Sequence, residues 1–323
     1  MKIGIIGTNF ISDMFIDALS YQQEVKAVAV CSGKFENALK FKEKHQLEYA
    51  YENYQKMLAD HQIEAVYIAT PNSTHYEIAK DCLNAGYHVF CEKPFMLNHL
   101  QAQEIYTIAD KKHVFIHDGI LPLYTENFQI LKAKLREVGK IRSVVFSFQK
   151  YSSRYEAYLK GENPTTFRKE LGNGSMMDLG IYILALAIAL FGKPLNIYAN
   201  STKVPDGVDL LGKIILKYED FEVLLLHSKV NNSKIISEIC GEKGIIQIEK
   251  PSLMEDVYLI NDNQKNKLSK DELNSFVYQI NDFNQNTKEH NQESLLVSRN
   301  LSLTILEILT HARKLCGIIF QQD

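Results

Sequence analysis

Residues 65–75, AVYIATPNSTH, and residues 87–94, YHVFCEKP, decide the fold. Each opens as an apolar, strand-like run, Ala65–Ala69 and Tyr87–Cys91. Each then closes on polar groups and a proline: Thr70, Pro71, Asn72 and His75 in the first, Glu92, Lys93 and Pro94 in the second. Between them His75–Ala85 has the helical period, and Gly86 supplies the stop common at helix C-termini. Strand, helix and strand in this order make a crossover unit of a parallel sheet. Polar groups just past the ends of successive parallel strands sit where open α/β sheets take their ligands.

The same alternation extends outward on both sides. Lys2–Ile6, Val25–Cys31 and Val114–His117 are strand-like, and Ile11–Leu19, Asn37–His45, Tyr54–Ala59 and Asn98–Lys111 are helical. In the first of these helices Ile11, Phe15, Ala18 and Leu19 share a side. The spacing predicts an α/β, doubly wound parallel sheet of the dinucleotide-binding kind over residues 1–120.

After about Gly119 the rhythm changes. A helix is predicted at Thr125–Val138 and a buried apolar one at Ile181–Phe191. Alternating runs at Ile141–Tyr151, Leu195–Asn200, Gly212–Tyr218, Phe221–Leu226, Lys234–Cys240 and Ile245–Ile248 predict an open, mainly antiparallel sheet. A long amphipathic helix is expected at Leu295–Ile318. The boundary falls near residues 118–124, which makes 121–323 a second α/β domain.

Composition narrows the function. A net charge of −3 over 323 residues offers no electrostatic case for nucleic acid or an anionic membrane. The longest apolar run, Ile181–Phe191, is too short to span a bilayer, and the first residues form a strand rather than a secretory leader. The five cysteines are odd in number and widely spaced, as in reduced core thiols of a cytoplasmic protein. The histidines show no metal-ligand pairing, so no metal is expected.

Several stretches carry chemistry. GTNFIS, residues 7–12, lies between the first strand and the first helix, the place of a phosphate-binding turn. Gly7 makes the turn, with Thr8, Asn9, Phe10 and Ile11 following. Asn9 stands where the glycine fingerprint has its second glycine and Ser12 where it has its third. Asn visits left-handed backbone more readily than other non-glycine residues, and Ser is small. At the end of the second strand, CSGK (residues 31–34) offers Ser32 and Lys34 but no acid before Glu36. That pattern favours a 2′-phosphate, hence NADP(H), with NAD as the alternative. Thr70, Asn72 and His75 are candidate hydrogen-bond donors to ribose or nicotinamide, and His75 is equally a candidate helix-start residue.

In GNGSMMDLGIY, residues 172–182, a glycine-rich turn enters a helix on which Asp178 and Tyr182 share a face. Gly180 between them costs helix stability, which implies something packed closely against it. A phenol is a poor base at neutral pH unless a cation favours its ionised form, and Lys93 is the candidate cation. Tyr155 and Arg168, in the polar and aromatic stretch after Tyr151, are candidates for substrate contact, with a dimer contact or surface crossing as the other readings.

GIIGTN (4–9), ATPNSTH (69–75), AGYHVFCEKP (85–94) and NGSMMDLGIY (173–182), with GEKGII at 241–246, resemble the Gfo/Idh/MocA oxidoreductases in order and spacing over the whole chain. The Asp178-x-Gly180-x-Tyr182 pattern looks like the tyrosine subgroup that includes dimeric dihydrodiol dehydrogenase and glucose–fructose oxidoreductase. The resemblance implies a Rossmann domain, NAD(P) binding, and homodimers or homotetramers pairing through the C-terminal sheet. It also implies that Lys93 and Tyr182 are the catalytic pair and that NADP is used. Glu92 enters the cofactor set with Lys93. Asn9 in place of glycine, and Asp118-Gly119-Ile120 in place of the usual Glu-Ala pair, depart from the pattern.

The expectation is therefore hydride transfer between nicotinamide and a secondary alcohol or ketone of a sugar, polyol or cyclic diol. Tyr182 serves as base, Lys93 as its cation, and Asp178 orients substrate or lysine. The alternative is a catalytically silent NAD(P)-binding sensor.

Overall fold

The computed structural model describes residues Met1–Asp323 except 206, 263, 272, 273, 290 and 291, with backbone only at 292–294. The chain divides into two compact units, Met1–Gly119 with Phe276–Asn300, and Ile120–Ser275 with Leu301–Asp323.

The first unit holds six strands: β1 Lys2–Ile6, β2 Lys26–Cys31, β3 Tyr49–Tyr51, β4 Ala65–Ile68, β5 His88–Glu92 and β6 Ile116–Gly119. All pair in parallel, in the order β3-β2-β1-β4-β5-β6. That is the doubly wound arrangement that binds dinucleotides at its switch point. Helices α1 Phe10–Leu19, α2 Phe35–His45, α3 Tyr54–Ala59, α4 His75–Asn84 and α5 His99–Lys112 connect them. Asparagines start three of these helices. Asn9, Asn53 and Asn98 each accept backbone amides of the first turn, satisfying donors that the helix itself leaves unpaired. Strands β1, β4 and β5 are buried almost throughout, as the apolar runs require.

The second unit contains β7 Ile141–Gln149, β8 Asn196–Lys203, β9 Asp209–Lys217, β10 Glu222–Ser228, β11 Ser237–Gly241, β12 Ile245–Lys250, β13 Glu255–Asn261 and β14 Gln264–Lys267. They form one eight-stranded sheet in the order β14-β13-β12-β11-β7-β10-β9-β8. Every neighbouring pair is antiparallel except β7 with β10. This parallel pair sets the C-terminal ends of both strands side by side, with Gln149 opposite Ser228. The unit's helices are α6 Glu126–Lys134, α7 Arg154–Leu159 and α8 Ile181–Phe191. The predicted helix at Thr125–Val138 tightens after Lys134 into a 3₁₀ turn, Leu135–Val138. Helix α8 is a core helix, buried at Ile181 and from Ile183 to Ile188.

Two helices close the chain, α9 Phe276–Glu289 and α10 Gln292–Leu315. Sequence periodicity did not single out α9, because polar Gln and Asn interrupt its apolar stripe. It belongs to the first unit. Phe276 lies edge-on to Phe15 at 6.2 Å, and Phe283 contacts Phe90 at 5.6 Å and Phe115 at 5.7 Å. Burial of two aromatic rings, Phe276 and Phe283, among those of Phe15, Phe90 and Phe115 outweighs the polar interruptions.

Candidate active site

In the first unit the strand ends are shaped by backbone. Gly7 has φ +111°, and a Cβ there would lie 2.2 Å from the carbonyl oxygen of Ala69. Only glycine fits that approach. The Gly7 amide donates to Cys31 O at 3.0 Å, which ties the turn to the end of β2. Ser12 is fully buried and donates to Gly7 O at 2.9 Å, so a small residue is indeed what that position takes.

Asn9 works differently from the expectation. Its φ of −92° is extended, so tolerance of left-handed backbone is not its role. Its Oδ1 caps α1 by accepting from Ile11 N at 2.9 Å and Ser12 N at 3.3 Å, while Nδ2 donates to Ala69 O at 2.8 Å. The side chain is thus spent on the protein's own backbone.

At the end of β2, Thr8 Oγ1 lies 3.3 Å from Ser32 Oγ. A Cβ at Gly33 would meet nothing within 4 Å. Lys34 stands at the start of α2 without a side-chain cap, and Phe10 and Lys34 are exposed. Hydroxyls, a lysine and open space, with no carboxylate among residues 31–35, suit the adenosine ribose of a dinucleotide that carries a phosphate.

The loops after β4 and β5 are joined by His75. Its Nδ1 sits 3.0 Å from Pro94 O and its Nε2 2.9 Å from Thr70 O. The ring is fully buried, and burial holds its pKa below the ordinary value. His75 is therefore a brace between two loops rather than the exposed donor to ribose or nicotinamide that the motif pointed to. Thr74 Oγ1 lies 2.7 Å from Thr70 Oγ1 and donates to Pro71 O at 2.8 Å, which stiffens the loop that carries Asn72. Glu92 is buried, which raises its pKa, and accepts from Tyr67 Oη at 2.7 Å. Lys93 is half-buried, and the Lys93–Pro94 peptide bond is cis.

In the second unit the candidate site is made by side chains. Residues Met176–Gly180 form a π-helical turn that leads directly into α8. Such turns recur at functional sites. Asp178 stands in that turn and Tyr182 in the first turn of α8. Both are half-buried, and the Tyr182 ring packs edge-on against Phe148 of β7 at 5.8 Å.

The close packing that Gly180 implies is His227 of β10, whose ring carbons lie 3.3 and 3.4 Å from where a Cβ would be. His227 is buried, and its Nδ1 lies 3.0 Å from Ser175 Oγ and 3.5 Å from an Asp209 carboxylate oxygen. Burial pushes His227 down to about 3 and Asp209 up to about 6. Asp209 in turn accepts from Met176 N at 2.6 Å and stands 2.4 Å from a would-be Cβ at Gly174. The glycines of residues 172–180 thus make room for a buried His–Asp pair beneath the turn.

Just past β10, Lys229 forms an ion pair and hydrogen bond with Asp178. Lys229, His227 and Asp209 were not found by sequence reasoning. The one available signal was a run of polar residues, His227-Ser228-Lys229, ending an otherwise apolar strand.

Tyr155 and Arg168 are held by their own loop. The Tyr155 ring packs with Tyr151, Tyr158 and Phe167 at 6.0–6.1 Å, and Arg168 Nε donates to Asn163 O at 2.8 Å. The second unit therefore presents a phenol, a carboxylate and an ammonium together, a set able to hold and move a proton.

The family model described as "Oxidoreductase family, NAD-binding Rossmann fold" matches residues 1–119, and the "GFO/IDH/MocA C-terminal domain" matches residues 129–247. The chain is 36% identical to scyllo-inositol 2-dehydrogenase (NADP(+)) of Bacillus subtilis, covering 100% of this chain and 99% of the relative. It is 31% identical to trans-1,2-dihydrobenzene-1,2-diol dehydrogenase of Xenopus laevis over 78% of this chain and 76% of the relative. The fold matches the crystal structure of a 3-ketoreductase from Actinomadura kijaniata with NADP and TDP-benzene, at a TM-score of 0.86, 21% identity and 98% of each chain.

Proposed function

The chain belongs to the Gfo/Idh/MocA family of NAD(P)-dependent oxidoreductases, and we propose that it interconverts a secondary alcohol and a ketone on a polyol or cyclic diol using NADP(H). The observation that carries this is the pairing on one short segment of Asp178 and Tyr182, with a buried cation on the carboxylate. The substrate class follows the two curated relatives, one named for an inositol and one for a dihydrodiol.

The residues fit a dinucleotide. The pyrophosphate would take the turn Gly7-Thr8-Asn9-Phe10-Ile11 at the start of α1, where the positive end of the helix dipole favours an anion, with Asn9 already holding the amides of Ile11 and Ser12. Ser32 and Lys34 would hold a 2′-phosphate, which is the ground for NADP over NAD. Thr70, Pro71, Asn72, Glu92 and Lys93 would line the nicotinamide end, with His75 positioning their loops. When bound, the dinucleotide supplies the hydride acceptor or donor.

The chain's own residues handle the proton. In oxidation Tyr182 takes the substrate hydroxyl proton at its phenol oxygen. Lys93, half-buried just past β5, is the first unit's candidate catalytic cation and would hydrogen-bond the substrate oxygen. Asp178 orients the substrate from one turn away.

The open face of the second unit's sheet is the proposed homo-oligomer surface. Across all eight strands one register row, Tyr198, Ile215, Leu224, Val145, Glu238, Gln247, Tyr258 and Lys267, is at least partly exposed, and Ile215, Leu224 and Val145 make an apolar run within it. The five free cysteines suit a cytoplasmic setting. The alternative, a silent cofactor sensor, drew on Asn9, whose side chain caps α1 through the amides of Ile11 and Ser12.

The test is oxidation of scyllo-inositol, other polyols and trans-dihydrodiols with NADP⁺ and NAD⁺, followed by nicotinamide absorbance. Tyr182→Phe and Lys93→Met should each lower turnover by about 10²–10⁴-fold. Near-normal turnover in both variants ends the proposal. Thermal stabilisation by NADP⁺ at lower concentration than by NAD⁺ is expected, and the reverse order overturns the cofactor assignment.

A further inference from the structure

We infer that Lys229 is a positioning residue of the catalytic centre: held on Asp178, its ammonium offsets the carboxylate one turn before Tyr182 and keeps the phenol ionisable. The inference rests on Tyr182 as the proton-transferring group.

The pair is built inside out. In an ordinary surface pair both members are exposed, as in Lys193–Glu307 with side chains 59% and 45% exposed. Here the lysine side chain is 9% exposed and its carboxylate partner 39%. Lysine is rarely buried, and an ammonium taken out of water costs stability that a half-exposed ion-pair partner, with the Asp209 charge farther off, repays poorly. A cation enclosed while its acid faces outward is a costly way to hold two loops together. It is a direct way to set the charge around a neighbouring group.

The backbone leaves Lys229 little freedom. Its amide donates to Leu210 O at 2.9 Å, and its carbonyl accepts from Ser152 N at 2.8 Å. The ammonium is thus delivered from a fixed point at the paired ends of β7 and β10.

Asp178 and Tyr182 are four residues apart, which overshoots one α-turn of about 3.6 residues. The wider π-turn at Met176–Gly180 reduces that overshoot and brings the two residues nearer one line. A carboxylate so placed disfavours a phenolate, and a cation on the carboxylate cancels most of that effect.

On the elements packed against this segment Arg142 of β7, Lys213 and Lys217 of β9 and Glu222 of β10 are exposed, and the remaining titratable groups are these. His227 on β10, pushed down to about 3 by burial, is neutral from mildly acidic pH upward. Asp209 on β9, pushed up to about 6, is ionised throughout the alkaline range. Tyr124, on the turn Leu121–Tyr124, is a second phenol. Strand β7 contributes the apolar ring of Phe148.

The experiment is an absorbance titration of tyrosinate, with the Tyr182 contribution isolated by subtracting the same background carrying Tyr182→Phe. This needs no substrate. In Lys229→Met the Tyr182 titration should move up by about one pH unit or more. Lys229→Arg should stay near the native value, and Asp178→Asn/Lys229→Met should return towards it. Asp178→Asn alone leaves the ammonium uncompensated and should move the titration down, which covers the case in which Lys229→Met does not fold. An unchanged titration in folded Lys229→Met, or in Asp178→Asn, overturns the inference. Unimpaired turnover in Tyr182→Phe would instead overturn the functional assignment, and the titration would still report on the charge balance.

Discussion

The two candidate regions are made of different materials. In the first unit the strand ends are shaped by main chain: Gly7 against Ala69 O, and His75 between the carbonyls of Thr70 and Pro94. In the second unit buried side chains do the shaping: His227 against Ser175 and Asp209, and Lys229 on Asp178. A backbone-shaped site is sensitive above all to added volume, although the buried His75 and Glu92 give the first unit ionisable groups of its own. A site shaped by buried ionisable groups responds to charge and to pH, because burial separates native from unfolded pKa values.

Gly7→Ala is the largest expected break. A methyl group 2.2 Å from Ala69 O, at φ +111°, forces the turn open. We expect a loss of about 3 kcal/mol or more, and loss of the thermal stabilisation by NADP⁺. Retained stabilisation by the cofactor would show that the turn does not hold the pyrophosphate.

His75→Phe should cost about 1–3 kcal/mol, since it leaves buried carbonyls of Thr70 and Pro94 without the ring nitrogens that face them. Turnover should fall with intact substrate binding if the brace positions Lys93. A change confined to thermal stability would make it a packing residue only.

The pH test compares the units directly. The carboxyl of Asp209 is raised from 3.8 to about 6, chiefly by burial. Between those values the native carboxyl is protonated and the unfolded one is not, so its contribution is full below about 3.8 and is lost as pH rises through about 6. Wild type should therefore lose stability relative to Asp209→Asn across that window, as measured by denaturant midpoints on either side of 6. The first unit has a parallel case in Asp282, also raised to about 6 by burial and lying 3.5 Å from the buried His117. Its side chain is 38% exposed, so Asp282→Asn should show the same sign with a smaller amplitude. Equal amplitudes would mean that exposure does not separate the two pairs.

Much of this was legible in the chain. The residue 65–94 stretch placed β4, α4 and β5 within a residue or two, because helix and strand periods and a terminal glycine are local signals. Strand β3, three residues long at the sheet edge, is too short to show a period. Gly180 announced a close neighbour without naming it. Asn9 was noticed for the right position and the wrong reason, since a capping side chain and a left-handed backbone favour the same residue type.

Sequence alone determined the doubly wound first unit, the mainly antiparallel second one, and the placing of Lys93 and Tyr182 at element ends. Those features follow from side-chain alternation and from glycine and proline, which act within a few residues. Only tertiary structure decided the return of α9 to the first unit and the partners of the second unit's polar groups. Lys229 and Asp178 are 51 positions apart, and His227 and Ser175 are 52. Their meeting depends on the parallel register of β10 against β7, a non-local choice made by burial of both strands that no local period encodes.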